Sequence, residues 1–384
     1  MAPHLTTLAK ERIRTRRWSG GGVGLDEVAE RMARMRAQLA HDEAEEPGRP
    51  HTRGAVMNML VCGDSRLAAE AAARAAKALA LHHPSRTVVV VGESARREAM
   101  DAEVEIEWHL LMGSPQVAYE QVVLRVPLAA LEGLPAMVAP LLLGDVPTYL
   151  WWTGARGVDR RALSAAPACQ AWIVDSATFM PPGPAIVELA RLAGAATLGL
   201  GDLHWARSGP WREALAQAFN APTRRPLLGA VTEVAIRHGR GSGGLAAALL
   251  LAGWLAARLR WRLLRPGTFG GEEVEARFQG PGGREVRVTA GRGGTAGHEP
   301  AALEAVSVVS SWRGRRGAVE LSSRGGGGGA IVVESTGPGE ALRYALPVGS
   351  HDEADLLCNL IPELTDDRVY SQSLRAAAQL VASG

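Results

Sequence analysis

Apolar positions in the first half of the chain follow the helical and the strand periods in turn, which is the pattern of an α/β domain. The elements predicted there are, in chain order, a helix at 24–40, a charged proline-containing linker at 41–50, a strand at 55–63, a helix at 64–83, strands at 85–92, 104–111 and 119–126, a helix at 127–143 that Pro135 interrupts, and strands at 146–152 and 171–176. The first of these strands, the helix behind it and the next strand predict a βαβ unit with parallel strands. We therefore predict a helix and linker at 1–50 and a three-layer α/β domain with a mixed sheet at 51–178.

The pattern changes after Pro184. The elements predicted in this second half are helices at 185–192 and 203–219, a strand at 227–238, an apolar helix that starts at Leu245, six short alternating runs between 272 and 346, and closing helices at 351–364 and 367–382. Because glycines separate the short runs, we interpret them as an antiparallel meander, with a flexible glycine-rich turn at 324–329. These elements predict an α+β domain at 179–384.

Composition narrows the classes of protein. The chain has 384 residues with 42 basic and 40 acidic side chains, and a formal charge of +2 argues against a strongly basic nucleic-acid binder. Cys62, Cys169 and Cys358 are too few and too scattered for a disulfide framework or a CxxC metal site. No secretory signal is visible, and the most apolar run, 245–257, is too short to span a bilayer. We expect a cytoplasmic protein that does not enter a membrane.

A glycine-rich loop offers the first candidate chemistry. Gly239, Gly241 and Gly244 match the GxGxxG spacing between a predicted strand and a predicted helix. A dinucleotide site also needs a carboxylate about 20 positions further on, to hold the ribose. The sequence around residue 264 is WRLLRP, which contains none. We interpret the loop as a connector and predict no cofactor; a nucleotide-binding enzyme or sensor that uses 239–244 is the alternative.

A serine hydrolase is the weaker alternative. The sequence CGDSRL resembles the GDS box of such enzymes, with Ser65 as the nucleophile. The DxxH pair that would activate this serine is absent from the C-terminal part, and Asp64 or Ser65 would serve equally as a helix cap. The adjacent His82 and His83 diverge and HExxH is absent, so we predict no metal site.

Tryptophan and arginine supply the remaining candidates. Trp205, Arg207, Trp211 and Arg212 are crowded into residues 201–215, and Trp151 and Trp152 end a predicted strand; the set is predicted to bind a partner. Trp and Arg are enriched at interface hot spots, and neighbouring strand residues point to opposite faces. We therefore expect one indole of the strand pair to pack against the sheet and the other to face a partner. The alternative is that the rings around 205–211 lie in the core.

Several longer blocks carry a family resemblance. They are LLLGDVPTYLWWTG, HPSR before a valine-rich strand, DLHWARSGPWREALAQAF, AAALLLAGWLAARLRW and DRVYSQSL, and they lie in order between about residues 55 and 380. In these blocks the chain resembles the OpcA family, the glucose-6-phosphate dehydrogenase assembly proteins of actinobacteria and cyanobacteria. Gly144 and Thr153 stand where many relatives carry proline, and the first fifty residues show no resemblance.

The resemblance implies a cytoplasmic protein that is not an enzyme. Such a protein would bind glucose-6-phosphate dehydrogenase, promote its active oligomer and raise its activity at the entry to the oxidative pentose phosphate pathway. The resemblance brings no catalytic residue, and the residues themselves predict none.

Overall fold

The structure is a computed structural model that describes residues 12–44, 55–80, 82–96, 99–110, 117–154, 157–158, 169–195, 199–270, 273–294, 303–324, 329–337, 341–348, 352–364 and 367–381. Its contacts divide the chain into two compact units, the first of residues 1–154 and 159–173 and the second of residues 155–158 and 174–384. The domain boundaries at 50 and 178 stay predictions.

The first unit is built on a mixed sheet. Its strands are β1 (Arg12–Gly21), β2 (Met57–Gly63), β3 (Ser85–Glu93), β4 (Asp101–Leu110), β5 (Val117–Pro127), β6 (Thr148–Trp152) and β7 (Ala171–Val174). They lie in the order β1-β4-β5-β3-β2-β6-β7. Strands β5, β3, β2, β6 and β7 pair in parallel, whereas β4 is antiparallel to β5 and to β1. The predicted βαβ unit with parallel strands is confirmed.

The helices of this unit are α1 (Leu25–Ala44), α2 (Arg66–Leu79) and α3 (Leu134–Val138), with 3-10 turns at Leu128–Gly133 and Ala139–Leu141 on either side of α3. Every residue of β2 is buried, as expected of a parallel strand that is covered on both faces. One face of α2 is buried too, through Ala69, Ala72, Ala73 and Ala76, so the helix lies close to β2 and β3. Strand β1 was not predicted, because RIRTRRWSGG lacks alternating apolar residues.

The second unit contains nine strands and six helices among its described residues. The strands are β8 (Gly199–Asp202), β9 (Val231–His238), β10 (Arg262–Gly270), β11 (Glu273–Gln279), β12 (Glu285–Arg292), β13 (Leu303–Trp312), β14 (Arg315–Arg324), β15 (Ala330–Thr336) and β16 (Arg343–Pro347). The helices are α4 (Pro182–Ala195), α5 (Leu203–Arg207), α6 (Gly209–Ala218), α7 (Ser242–Leu259), α8 (Glu353–Leu360) and α9 (Arg368–Val381).

The predicted antiparallel meander is wrong in one respect. The sheet runs in the order β10-β11-β12-β9-β13-β14-β15-β16, so β9 lies between β12 and β13 and pairs with β12 in parallel. The apolar face of the sheet needs a cover, and α7, which is apolar around its whole circumference, packs against β9, β12 and β13 on one side and against α9 on another. Residues 325–328 of the predicted flexible turn at 324–329 lie outside the described residues. With two mixed sheets and packed helices, the predicted α/β class is confirmed.

Candidate functional site

The tryptophan pair of β6 lies entirely in the interior. Trp151 is 3% exposed and Trp152 is 2% exposed. Contact of either indole with a partner stays a prediction, although both indoles are buried in the folded chain. The physical reason for this burial is the position of β6 between β2 and β7, because a central parallel strand is covered on both faces of the sheet.

The predicted segment at 201–215 folds as two short helices. Asp202 caps α5 by accepting a hydrogen bond from the His204 amide. Helix α5 ends at Arg207, and α6 begins at Gly209 with Pro210 in its first turn. The single helix predicted at 203–219 is therefore divided into two. Ser208 does not cap α6 with its side chain; its hydroxyl instead donates to the carbonyl of Trp205 at 2.9 Å. Both indoles are buried, Trp205 at 5% and Trp211 at 6% exposure, as in the core alternative.

Arg212 fastens the two helices together. Its guanidinium carbon lies 3.3 Å from the centroid of the Trp205 ring, which is a close cation–π contact. One guanidinium nitrogen also donates to the Trp205 carbonyl at 2.9 Å and to the Ser208 hydroxyl at 2.7 Å. Burial lowers the pKa of Arg212 to about 10, which leaves the side chain charged at neutral pH. Arg212 therefore acts inside the fold.

Arg207 forms an ion pair that the sequence analysis missed. Its two terminal nitrogens donate to the two carboxylate oxygens of Asp175, at 2.9 and 3.3 Å, and the two side chains are only 16% and 14% exposed. Burial by itself would raise the pKa of Asp175, but the charge and hydrogen bonds of Arg207 outweigh it, so that pKa is lowered. A paired guanidinium and carboxylate in this two-pronged geometry hold the loop before α4 against α5.

Asp202 forms hydrogen bonds with three different parts of the second unit. One carboxylate oxygen accepts from the backbone amides of Ser176 and His204, at 3.0 and 2.9 Å, and the other accepts from the Tyr370 hydroxyl at 3.1 Å. Asp202 and Tyr370 are both fully buried. Burial raises the pKa of Asp202, and it raises that of Tyr370 well above its ordinary value. The carboxylate thereby connects β8, the 3-10 turn at Ser176–Thr178 and α9.

His204 completes this group. Its Nε2 donates to the Gly243 carbonyl at 2.8 Å, while its Nδ1 accepts from Arg207 at 3.3 Å. These two bonds assign the neutral tautomer with the proton on Nε2. Burial lowers the pKa of His204, in agreement with a neutral ring.

We call Asp175, Asp202, His204, Arg207 and Tyr370 the Asp202 cluster. Aspartate, histidine and tyrosine are the residues of acid–base catalysis, but here each is bonded to another part of the same unit and is shielded from solvent. An enzyme needs such groups within reach of a substrate, whereas this geometry stabilises the fold. Asp175 and Tyr370 were missed because 27 and 168 residues separate them from Asp202, and no local spacing signals a contact at that range.

The glycine-rich loop has a packing explanation. Gly241 has a φ of 93° directly before α7, a conformation that glycine adopts without strain. A Cβ atom on Gly244 would collide with the Gly239 carbonyl, and it would lie 2.9 Å from the His238 ring. The loop therefore has to turn tightly between β9 and α7, as a connector does. The strand that begins at Arg262 carries no carboxylate near residue 264 that could hold a ribose.

The hydrolase alternative also has a structural explanation. The Ser65 hydroxyl accepts a hydrogen bond from the Ala68 amide at 3.3 Å and caps α2. Among the residues that the structure describes, no group of three or more His, Cys, Asp or Glu side chains could hold a metal ion. Over the same residues, no helix is both long and apolar enough to cross a bilayer.

The fold and the Asp202 cluster define a class of protein. It is a mixed α/β protein of two units, in which the cluster is buried and its members are hydrogen-bonded within the second unit. Comparison with protein families makes the assignment specific. The model described as the N-terminal domain of a glucose-6-phosphate dehydrogenase subunit matches residues 76–191, and the model described as the C-terminal domain matches residues 198–374. The chain belongs to the OpcA family.

Curated relatives agree with this assignment. A protein of Nostoc punctiforme, provisionally named OxPP cycle protein OpcA, is 33% identical over 195 residues, which cover 49% of this chain and 41% of the relative. The protein of the same provisional name from Synechocystis sp. is 34% identical over 149 residues, or 38% of this chain and 30% of the relative. Each match thus spans less than half of the relative's length.

Solved structures give only a distant likeness. The 3-ketoreductase KijD10 of Actinomadura kijaniata, with NADP and TDP-benzene, is 14% identical with a TM-score of 0.47, over 85% of this chain and 96% of that one. Biliverdin reductase of Synechocystis sp. PCC 6803 is 14% identical with a TM-score of 0.46, over 85% and 98% of the two chains. Likeness at this level carries no inference about activity or cofactor.

Proposed function

We propose that this chain is a non-catalytic binding protein that associates with glucose-6-phosphate dehydrogenase, promotes its active oligomer and raises its activity in the oxidative pentose phosphate pathway. The observation that carries the proposal is the pair of family matches, which together extend from residue 76 to residue 374 and are described as domains of a subunit of that enzyme. The names of the curated relatives, which refer to the OxPP cycle, point the same way.

The Asp202 cluster supports the non-catalytic part of the proposal. Its carboxylates, imidazole and phenol are the strongest candidates for acid–base chemistry among the described residues, and hydrogen bonds within the second unit already occupy them. A group that is bonded and desolvated in this way supplies rigidity. We therefore assign the cluster the task of holding the second unit in one shape.

Activation without chemistry requires only selective binding. If the chain binds the active oligomer of the dehydrogenase more tightly than its inactive form, mass action shifts the population toward the active form. A shift from almost wholly inactive to almost wholly active requires a difference in binding free energy of about 5 kcal/mol. A few well-packed aromatic or arginine contacts supply a difference of that size.

The six predicted partner-binding residues enter this proposal in a changed role. Trp151, Trp152, Trp205 and Trp211 are buried and pack inside their own units. Arg207 and Arg212 bond mainly to their own unit. Direct contact of any of the six with the dehydrogenase stays a prediction.

The test is a titration of the dehydrogenase from the same organism with the full chain, in which oligomer mass and turnover are followed together. We expect both to rise and to saturate at a fixed molar ratio, because a binding protein acts stoichiometrically. A chain denatured by heat before mixing is the control. If neither mass nor turnover changes, the proposal is wrong; if a trace of the chain gives the full effect, it acts as an enzyme on the dehydrogenase.

A further inference from the structure

One tryptophan of the second unit stands apart from the buried ones. Trp312 is 38% exposed and ends β13, whereas Trp205, Trp211 and Trp261 are 8% exposed or less. It is followed by Arg313, Gly314, Arg315 and Arg316, all of which are exposed. We call Trp312–Arg316 the hairpin tip. Exposed tryptophan beside arginine is typical of interface hot spots. From the sequence we expected such a site at 151–152 and 205–212.

The hairpin tip is a tight turn. Two residues, Arg313 and Gly314, connect β13 to β14, and Trp312 lies opposite Arg315 in the register. Arg313 has a φ of 50° and Gly314 a φ of 74°. Positive φ at both central residues defines a type I′ turn, the turn that matches the twist of paired strands. The turn therefore fixes the backbone from which these side chains extend.

Arg313 is an unfavourable residue for this turn. The first central position of a type I′ turn favours asparagine, aspartate or glycine, and other residues rarely adopt positive φ. The Arg313 guanidinium lies 5.6 Å from the centroid of the Trp312 ring, so the strained residue places its charge beside the exposed indole. A side chain that the turn disfavours and that extends the cationic surface suggests a function outside the fold.

The charge around the hairpin tip is strongly positive. Glu233 lies 3.6 Å from Arg316, but the same carboxylate also binds Arg287 at 3.0 Å. Within the described part of the chain, no carboxylate forms an ion pair with Arg313 or Arg315. The exposed Arg284 lies at the same end of the sheet, because it donates to the Gly229 carbonyl just before β9 begins. An acidic surface is the complementary partner.

We propose that the hairpin tip is a docking element for an acidic surface with an apolar slot on glucose-6-phosphate dehydrogenase, in which Trp312 fills the slot and the arginines pair with carboxylates around it. This inference rests on the function proposed above and names the part of the chain that carries out the binding. A central aromatic anchor surrounded by charged contacts is the usual arrangement of a hot spot.

The test compares full-length variants for binding to the dehydrogenase of the same organism, measured by titration calorimetry at low and at physiological salt. We expect Trp312→Ala and Arg315→Glu each to weaken binding by about tenfold or more. Arg191→Glu on α4 makes the same charge change at an exposed site, and Leu264→Ala removes an exposed apolar side chain elsewhere. Both controls should bind within about twofold of the wild type.

Arg313→Asn separates docking from folding. Asparagine followed by glycine is a preferred type I′ sequence, so the melting temperature should rise or stay constant. Affinity for the dehydrogenase should nevertheless fall several-fold, because one charge of the hairpin tip is lost. A role in folding alone predicts a more stable protein with unchanged affinity, and that result would overturn the proposal.

The remaining outcomes are also decisive. If the wild type does not bind the dehydrogenase, the proposed function fails, and with it the premise of this docking element. If the wild type binds and the hairpin-tip variants bind equally well, the docking element is wrong while the proposed function stands. Binding of duplex DNA that Arg315→Glu abolishes, without any effect on dehydrogenase binding, would reassign the hairpin tip to nucleic acid.

Discussion

Several tryptophan side chains of this protein are buried and stabilise its fold. Trp152 sits on a central strand and is 2% exposed, so it contributes packing where an outward role was expected. The Trp205 ring contacts the guanidinium of Arg212 and also the ring of Tyr370, whose centroid is 5.5 Å away. The presence of a tryptophan in the sequence does not show whether its ring lies in the core or contacts a partner. For a strand residue such as Trp152, burial depends on whether further strands flank its own strand, and the order of strands in the sheet determines this.

Removal of the Trp152 ring should destabilise the protein strongly. A buried aromatic side chain replaced by alanine leaves a cavity, and we expect Trp152→Ala to lower the free energy of unfolding by about 3–5 kcal/mol in urea denaturation. Leu67→Ala is the control, because Leu67 is 75% exposed and its loss should cost under about 0.5 kcal/mol. A Trp152→Ala protein that unfolds at the wild-type urea concentration would contradict the buried placement.

His204 makes the stability of the second unit depend on pH. Its pKa is lowered in the folded state from an ordinary value of 6.5, so below 6.5 the unfolded chain takes up a proton that the folded chain resists. Stability from this residue is therefore present above 6.5 and is lost as the pH falls, by at most about 1.4 kcal/mol per pH unit. The groups that face the ring act in both directions: Asp175 and Asp202 favour its protonation and Arg207 opposes it. The raised pKa of Asp202 adds a change of opposite sign, in which stability falls as the pH rises above 3.8.

Urea denaturation of His204→Gln at two pH values tests this assignment. Glutamine keeps a donor for the Gly243 carbonyl but cannot titrate. The variant should be less stable than the wild type near pH 7.5 by about 1–3 kcal/mol, because the acceptor for Arg207 is lost. It should then lose less stability than the wild type between about pH 7.5 and about pH 5.5. Equal losses in the two proteins would show that His204 does not titrate in this range.

At the scale of elements, the central feature of the second unit is the contact between α7 and α9. A Cβ atom on Gly253 of α7 would collide with the Ser373 carbonyl and lie 2.7 Å from the Ala377 amide nitrogen. The two helices therefore approach to backbone contact at this point, and glycine is required by space rather than by its dihedral angles.

Gly253→Ala should accordingly destabilise the protein by about 1–3 kcal/mol, although alanine is the better helix former. Gly194→Ala in α4 is the matched control, since nothing lies within 4 Å of the added atom. That change should be neutral or stabilise by up to about 1 kcal/mol. Thermal melts of the two variants and the wild type decide; a Gly253→Ala protein as stable as the control would show that the helices are further apart.

The elements that the sequence predicted and those it missed differ in a physical way. Helix α7 and strands β2 and β3 have strong local patterns, because their neighbours bury them on all sides, and the sequence analysis placed them correctly. Strands β1 and β10 lie at sheet edges, carry arginine in place of alternating apolar residues, and were missed. The place of β9 between β12 and β13 was missed because strand order depends on contacts about 50 residues or more apart, for which a local period holds no information.

For the whole molecule, family resemblance and local chemistry gave different amounts of information. Long tryptophan-rich blocks identified the family, which the family matches confirm. The Asp202 cluster was predicted only in part: the crowded segment at 201–215 contains Asp202, His204 and Arg207, but Asp175 and Tyr370, which complete the cluster, come from distant parts of the chain. The exposed Trp312 went unnoticed because a single tryptophan in a hairpin forms no crowded segment.

The bond between Tyr370 and Asp202 also has a consequence for biosynthesis. During translation, residues 175–207 are synthesised well before α9. The Asp202 carboxylate therefore lacks its third hydrogen-bond donor, the Tyr370 hydroxyl, until some 160 further residues have been added. A chain that ends before Tyr370 therefore leaves this carboxylate without that donor and leaves the surface of α7 that α9 covers exposed.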